Sequence, residues 1–245
     1  LNKPKKSLGQ NFLQDKNIVN KILSTTKIFN NNIIEVGAGY GILTDSIINL
    51  KPKKLIIIEK DFELYKFLKN KYKNVNIKIL NEDIIYFNFP KKNKYKIISN
   101  LPYNISSRFL FKNLRLSKNI SEIVCMIQSE LAEKYDYSKK KMNKYKFLTQ
   151  YCSKYEIKFS VSRNVFFPKP KISSKVVKFI IHNKKINYKK LDYFLNYFFL
   201  NKRKKIRSNK KFINEIDSKY LNYRYEDLKY KDILKIYETF KFPIG

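Results

Sequence analysis

The amino-acid sequence predicts an α/β fold: a parallel sheet with helices on both faces, followed by a small all-helical C-terminal part. Three observations carry that prediction. Short apolar runs alternate with segments of helical spacing through the first half of the chain, the pattern of strands joined by crossover helices. The runs end on glycines, acids or asparagine, residues that line a crevice when they sit at the carboxyl ends of such strands. Beyond His182 the alternation stops and the i, i+3, i+4 spacing of helices takes over.

In chain order, residues 1–7 form a basic arm that opens on Leu1, not Met, pointing to an alternative start or a trimmed terminus. Leu8-Gly9-Gln10-Asn11-Phe12-Leu13 follows, and Asp15 is a predicted N-cap for a helix with Ile18, Val19, Ile22 and Leu23 on one side. Ile33-Ile34-Glu35-Val36 is the first strand. It runs into Gly37-Ala38-Gly39-Tyr40-Gly41, and Ile42-Leu43-Thr44 opens a helix continued by Ile47, Ile48 and Leu50. The second strand, 55–58, ends in Glu59. A helix with Phe62, Leu64, Tyr65 and Leu68 leads to a third strand over 75–80, which ends in Asn81-Glu82-Asp83. The fourth strand, 95–99, delivers Asn100-Leu101-Pro102-Tyr103 to the start of a helix carrying Phe109, Leu110, Phe111 and Leu114.

Residues 123–127 read as a further strand and 129–135 as a helix start. Residues 137–146 are rich in lysine and poor in apolar residues, a solvated or RNA-facing loop. Residues 156–161 and 176–181 are expected to form the antiparallel edge of the sheet. Leu191, Phe194, Leu195, Phe198 and Phe199 keep helical spacing. The domain boundary is placed near Asn183, which gives one domain over 1–183 and a helical one over 184–245.

Composition limits the function. A chain of 245 residues with 43% hydrophobic content can bury a core. Lys+Arg 53 against Asp+Glu 20 leaves +33, which suits a polyanion, nucleic acid first. Part of that charge reflects a Lys-, Asn-, Ile-, Tyr- and Phe-rich, AT-biased usage. No apolar run approaches the roughly 20 residues of a spanning helix, no basic amphipathic helix suits a membrane surface, and the N-terminus lacks the apolar stretch of a signal peptide. Cys125 and Cys152 read as buried thiols, in keeping with a reducing compartment. His182 is the sole histidine, so a His-based metal site or a Ser-His-Asp triad has almost nothing to be built from.

The chemistry lies in the strand ends. A strand that breaks at glycines and restarts as a helix lets backbone approach a ligand closely. Gly37-x-Gly39-x-Gly41 departs from the G-x-G-x-x-G spacing of dinucleotide enzymes. Glu59 lies 22 residues after Gly37, near the offset at which an acid takes ribose hydroxyls. Acid-ended strands and an Asn-Leu-Pro-Tyr turn favour S-adenosylmethionine, which has ribose and adenine but no phosphate. Asn100 and the Leu101 carbonyl can both accept from one amino group while the Tyr103 ring lies against a heterocycle. The plain structural alternatives are a chance glycine cluster, solvated strand-end carboxylates and an ordinary Pro-Tyr turn.

Taken together, Gln10-Asn11-Phe12-Leu13, Glu35-Val36-Gly37-Ala38-Gly39-Tyr40-Gly41, Glu59, Asp83 and Asn100-Leu101-Pro102-Tyr103-Asn104-Ile105-Ser106 resemble the ribosomal RNA adenine dimethyltransferases. The likeness continues through Arg163-Asn164-Val165-Phe166-Phe167-Pro168-Lys169-Pro170-Lys171 and Asn201-Lys202-Arg203-Lys204-Lys205-Ile206-Arg207, spanning nearly the whole chain. It implies a Rossmann-like class I S-adenosylmethionine-dependent methyltransferase domain with a small helical domain behind it. It also implies dimethylation of two adjacent adenosines near the 3′ end of small-subunit ribosomal RNA, bare or within an assembling subunit, by a monomer without metal.

By that resemblance Asn11 and Leu13 hold the methionine end of the cofactor, Gly37, Gly39 and Asn100 contact it, Glu59 takes the ribose and Asp83 the adenine. Asn100, Leu101 and Tyr103 hold the target base, and Phe166 is a second aromatic over it, the alternative being core packing beside Phe167. Lys202, Arg203, Lys204, Lys205 and Arg207 are candidate RNA contacts or, alternatively, a solvated face. The chain departs from the family at Met142-Asn143-Lys144-Tyr145, where Tyr-Gly is usual, and at Lys169, within a run usually made of prolines. Three rival readings stay open: a resistance-type methyltransferase of large-subunit RNA, an assembly or transcription factor that has lost catalysis, and an NAD dehydrogenase. The Pro170-Lys171-Ile172-Ser173-Ser174 run looks like the small-subunit branch. The expected compartment is the bacterial cytoplasm, with an organelle as the alternative.

Overall fold

A computed structural model describes residues 4–116, 118–201, 203–209, 213 and 216–241. The chain opens with a two-residue strand, β1 (Phe12–Leu13), and helix α1 (Lys16–Leu23), whose N-cap is Asp15: its carboxylate accepts from the Asn17 and Ile18 amides at 2.7 and 3.1 Å. Then β2 (Asn32–Val36), α2 (Ile42–Asn49), β3 (Lys54–Glu59), α3 (Phe62–Lys71), β4 (Lys78–Asn81), β5 (Tyr95–Asn100) and α4 (Tyr103–Leu116) alternate as the sequence predicts. β6 (Ile120–Gln128), α5 (Ser129–Tyr135), α6 (Lys144–Cys152), β7 (Ser153–Val161), the short β8 (Phe166–Phe167) and β9 (Ser174–Ile181) complete the sheet region. Helices α7 (Tyr188–Phe198) and α8 (Tyr230–Thr239), linked by single 3-10 turns, end the described chain.

Seven strands form one twisted sheet in the order β4-β3-β2-β5-β6-β9-β7. The first five are parallel and β9 runs antiparallel to both its neighbours. The order turns at β2–β5, and there the carboxyl ends of both strands open into a crevice. Alternation along buried strands fills both sides. Ile56 and Ile58 face one apolar cluster, with α4 to α8, while Leu55 and Ile57 face another, with α1 to α3.

Several elements differ from the sequence reading. The third strand begins at Lys78, because the Val75 and Ile77 amides turn back to the carbonyls of Tyr72 and Val75. The two strands expected at the antiparallel edge are there, in the order β6-β9-β7, but the outermost, β7, begins at Ser153 and so is longer than the expected 156–161. The last four of the ten residues in the lysine-rich connection, 143–146, are helix cap and helix. Asn143 caps α6 through the Tyr145 and Lys146 amides, and Lys146 is buried, its ammonium donating to the Lys139 and Lys141 carbonyls at 3.1 and 2.7 Å. A lysine whose stem is buried and whose head satisfies loop carbonyls has no periodic signature. Cys125 and Cys152 are buried free thiols. Secondary structure changes character after Ile181, but the apolar core runs on: Leu191, Phe194 and Phe198 of α7 and Ile233 and Ile236 of α8 join the cluster that holds Phe109 and Phe147. Among the described residues no helix is long and apolar enough to cross a membrane.

Candidate functional site

The crevice at the sheet's carboxyl edge is a cavity of about 430 Å³, within the range that encloses a small organic ligand. Its floor is the turn after β2. Gly37, Gly39 and Gly41 all take positive φ, at 68, 59 and 84°, a left-handed backbone at three alternate positions that glycine adopts without strain. A side chain at Gly39 would come within 3.0 Å of the Phe12 ring, and one at Gly41 would collide with the Tyr72 hydroxyl. The loop leads into the N-terminus of α2, whose first amides have no side-chain cap.

Glu59, at the end of β3, is 6% exposed and lines the cavity. Its Oε2 accepts from the Gly39 amide at 3.1 Å and its Oε1 from the Asp61 amide at 2.9 Å. Burial raises its pKa and those two bonds oppose the rise. Asp83, after β4, accepts from the Ile85 amide at 2.9 Å and from Lys60 Nζ at 3.0 Å; burial opposes its charge, but these donors outweigh burial and hold its pKa below the ordinary value. Beneath the loop, Glu35 is fully buried. Thr44 donates to its Oε2 at 2.7 Å, and Oε1 has no hydrogen-bond partner in the structure. Burial drives its pKa to about 8.

Asn100 closes β5. Its Nδ2 donates to the Asn11 carbonyl at 2.9 Å, which commits the amino side of the amide and leaves Oδ1 as the acceptor. Leu101, Pro102 and Tyr103 follow along the cavity wall, and the Ser106 hydroxyl donates to the Pro102 carbonyl at 2.8 Å, tying the turn to α4. The Tyr103 hydroxyl lies 2.7 Å from Ser174 Oγ, on fully buried Ser174 at the start of β9. Burial raises the phenol's pKa, so Tyr103 is neutral.

The N-terminal segment roofs the site. Gln10, Asn11, Phe12 and Leu13 line the cavity, with Phe12 packed on Tyr40 at 4.8 Å between ring centroids. Asp61, 4% exposed, anchors this roof: Lys5 Nζ and Gln10 Nε2 each donate to it at 2.8 Å.

The structure thus brings Asn11, Leu13, Gly37, Gly39, Glu59, Asp83, Asn100, Leu101 and Tyr103 to one cavity. Phe166 is not among its lining residues. Phe166 is 4% exposed and packs in the α1–α3 core, while Phe167, 56% exposed, faces the mouth. The two alternate across β8, which pairs with β1 at Phe12↔Phe167 and Leu13↔Phe166. Arg203, Lys204, Lys205 and Arg207 are exposed and apart from the cavity, and none forms an ion pair among the described residues. Lys202 lies outside the described residues. Among those residues no cluster of His, Cys, Asp or Glu is arranged to hold a metal ion. The sequence reading missed Asp61 and Ser174. Asp61 shows only an N-cap signal, and Ser174 acquires its role from a partner 71 residues away.

Comparison with known proteins agrees with this geometry. Residues 1–242 match the family model for ribosomal RNA adenine dimethylase. A protein of Malacoplasma penetrans, ribosomal RNA small subunit methyltransferase A, is 40% identical over 84% of this chain and 77% of its own. The protein of the same name from a Hydrogenobaculum species is 35% identical over 97% and 93%. Among solved structures, a dimethyladenosine transferase from Plasmodium falciparum shares the fold with a TM-score of 0.79 at 23% identity, covering 92% of this chain and 95% of its own. The 23S rRNA methyltransferase ErmE shares it with a TM-score of 0.73 at 18% identity, covering 93% and 98%.

Proposed function

The chain belongs to the ribosomal RNA adenine dimethylase family, and from that premise we propose how its residues carry out the transfer of methyl groups to the 6-amino group of adenosines in small-subunit ribosomal RNA. The fold alone leaves the choice of subunit open, since ErmE, named for 23S rRNA, shares it. The relatives at 35–40% identity, small-subunit enzymes by name, favour the small subunit.

The observation that carries the reading is the fixed orientation of Asn100 beside a tyrosine in a glycine-floored cavity with acids at the ends of β3 and β4. The cavity's polar groups fit S-adenosylmethionine: Glu59 would accept from ribose hydroxyls, Asp83 from the adenine amine, and the turn after β2, crowded by a Cβ at Gly39 or Gly41, would lie against the methionine portion with Asn11 and Leu13 above it. When bound, that cofactor supplies a sulfonium-activated methyl group. The chain's own task is the nucleophile, because adenine's exocyclic amine shares its lone pair with the ring. Asn100 Oδ1 and the Leu101 carbonyl would accept the two amine hydrogens and turn the lone pair towards the methyl group. Orientation of this kind is worth about 7–11 kcal/mol, and the fixed dipoles of the turn add to it.

Tyr103 would stack on the flipped base, replacing about 1–3 kcal/mol of lost stacking. Phe167, which lines the mouth, would take the second aromatic role that the resemblance implied for Phe166; Phe166 would then serve to hold β8 on β1. No strong base is needed, since the methylated amine is acidic and can release its proton to water. His182 stands eight residues along β9 from Ser174, about 26 Å from the site at the usual strand rise.

The deciding experiment is transfer from labelled S-adenosylmethionine to unmethylated small subunits, large subunits and naked RNAs, with the modified base identified. Dimethyladenosine confined to small-subunit RNA is the expected result. Label in large-subunit RNA would overturn the assignment, and cofactor binding without label would mark an assembly factor that has kept its site and lost its chemistry.

A further inference from the structure

The segment that leaves Asp83 sends three of its side chains inward and one out. Ile84, Ile85 and Phe87 are 3, 4 and 7% exposed, whereas Tyr86 is 68% exposed. This ring is held. The Tyr86 amide donates to the Asp83 carbonyl at 2.9 Å, and Lys112 of α4 reaches the Ile85 carbonyl. The Arg108 guanidinium lies 5.3 Å from the centre of the Tyr86 ring and donates to its hydroxyl at 3.3 Å. Arg108 forms no ion pair among the described residues. It stands one helical turn beyond Asn104, a residue of the cavity wall, and its positive charge is felt at Asp83. One face of a fixed tyrosine is thus covered by a cation and the other faces water; neither group lines the cavity, but Tyr86 follows the lining residues Asp83 and Ile84 in the chain and Arg108 follows Asn104 on α4.

We propose that Tyr86 and Arg108 form a subsite for a nucleotide that flanks the target adenosine in single-stranded RNA, the ring stacking on its base and the guanidinium holding its phosphate. The inference rests on the function proposed above. A base cannot reach Asn100 without leaving its stack, and its neighbours on the strand then need new surfaces. Aromatic rings beside cations are the surfaces that single strands use, because every base has a π-face and every linkage a charge. The ends of β4 and β5 are three strand spacings apart, about 14 Å. Asp83 therefore lies to one side of the target's position, and Tyr86, three residues on, meets α4 at Arg108, one helical turn beyond Asn104.

The test uses the full chain with Tyr86→Ala, Tyr86→Phe and Arg108→Gln. Four quantities are measured: KM for unmethylated small subunits, affinity for an adenosine-containing single-stranded oligoribonucleotide, cofactor affinity and Tm. Tyr86→Ala is expected to raise KM and weaken oligonucleotide binding about 5- to 150-fold, with cofactor affinity and Tm unchanged, and Tyr86→Phe is expected to restore most of the loss. Arg108→Gln should flatten the slope of log affinity against log salt by about 0.7, the value for one phosphate on a single strand; Tyr86→Ala should leave that slope alone. Unchanged KM and oligonucleotide affinity in Tyr86→Ala would overturn the subsite, as would a wild-type protein with no affinity for the oligonucleotide. A loss confined to cofactor binding would also overturn it, by showing that the ring covers the cofactor. If the wild-type protein binds the oligonucleotide but transfers no methyl group, the proposed function falls while the binding measurements still decide the subsite.

Discussion

At the scale of single residues, the site depends on side chains whose partners come from far along the chain. Tyr103→Ala removes the stacking surface without touching the cofactor's contacts, so turnover should be abolished while cofactor affinity stays within about threefold; a tenfold loss of cofactor binding would contradict the assigned role. Ser174 acts on the same ring from β9. Ser174→Ala should lower kcat about 2- to 10-fold, the worth of one hydrogen bond, with cofactor affinity unchanged. Tyr103→Phe should do the same, and the double variant should lose no more than either single one. Independent, additive losses would show that the bond does not position the ring. Glu35 makes a different prediction. Its carboxyl holds a proton in the folded protein up to about pH 8 but releases it near 4.5 when unfolded. Between those values the folded state binds the extra proton, so this group lowers stability as pH rises. Glu35→Gln should therefore flatten the decline of Tm with pH across that window, which thermal melts from pH 5 to 8 would read. An unchanged slope would place the charge elsewhere.

At the scale of elements, the roof over the cavity shows what connects segments that the sequence presents separately. The arm before β1 is held by the Asp61 carboxylate, which also caps α3 through the Glu63 amide at 3.1 Å. Asp61→Ala should raise amide exchange across residues 4–14 and weaken cofactor binding about tenfold or less, since Lys5 is nearly half exposed and its contribution is screened. Unaltered exchange in the arm would show that Asn104 and Asn100, which bond the Ser7 and Asn11 carbonyls, suffice to hold it. Strand and helix identities were legible here because burial on both faces writes continuous apolar runs. α6 was not, because its first turn carries Lys144 and Lys146 and only Phe147, Leu148, Tyr151 and Cys152 beyond it keep helical spacing, too short a run to outweigh the lysine-rich stretch before it.

At the scale of the whole molecule, a charge of +33 is a statement about a polyanionic partner, and the basic turn after α7 is one place where it is displayed. Neutralising Lys202, Arg203, Lys204 and Lys205 together should weaken binding to small subunits and flatten its salt dependence by about 0.7 to 0.9 in slope for each phosphate that the cluster neutralises. A slope equal to that of the unaltered chain would mark the cluster as solvated surface. The C-terminal helices share their aromatic core with α6 through Phe147, Phe194 and Tyr237, and Phe109 of α4 belongs to the same apolar cluster. Changes at that core are therefore expected to reach the helix that begins at Tyr103.

The sequence by itself determined the alternation of strands and helices, the glycine turn, the acids at the strand ends, the Asn-Leu-Pro-Tyr turn and the family. All of these are written in neighbouring residues, through period, turn chemistry and spacing. Only the tertiary structure decided which of two adjacent phenylalanines faces the mouth, because a one-residue register in β8 sends Phe166 into the core and Phe167 out. It also decided that Asn100 presents its oxygen, that Ser174 holds Tyr103, that Asp61 fastens the N-terminal arm and that Arg108 covers Tyr86. Each of these joins residues far apart in the chain, and such pairs meet only once the sheet has set the strand ends side by side.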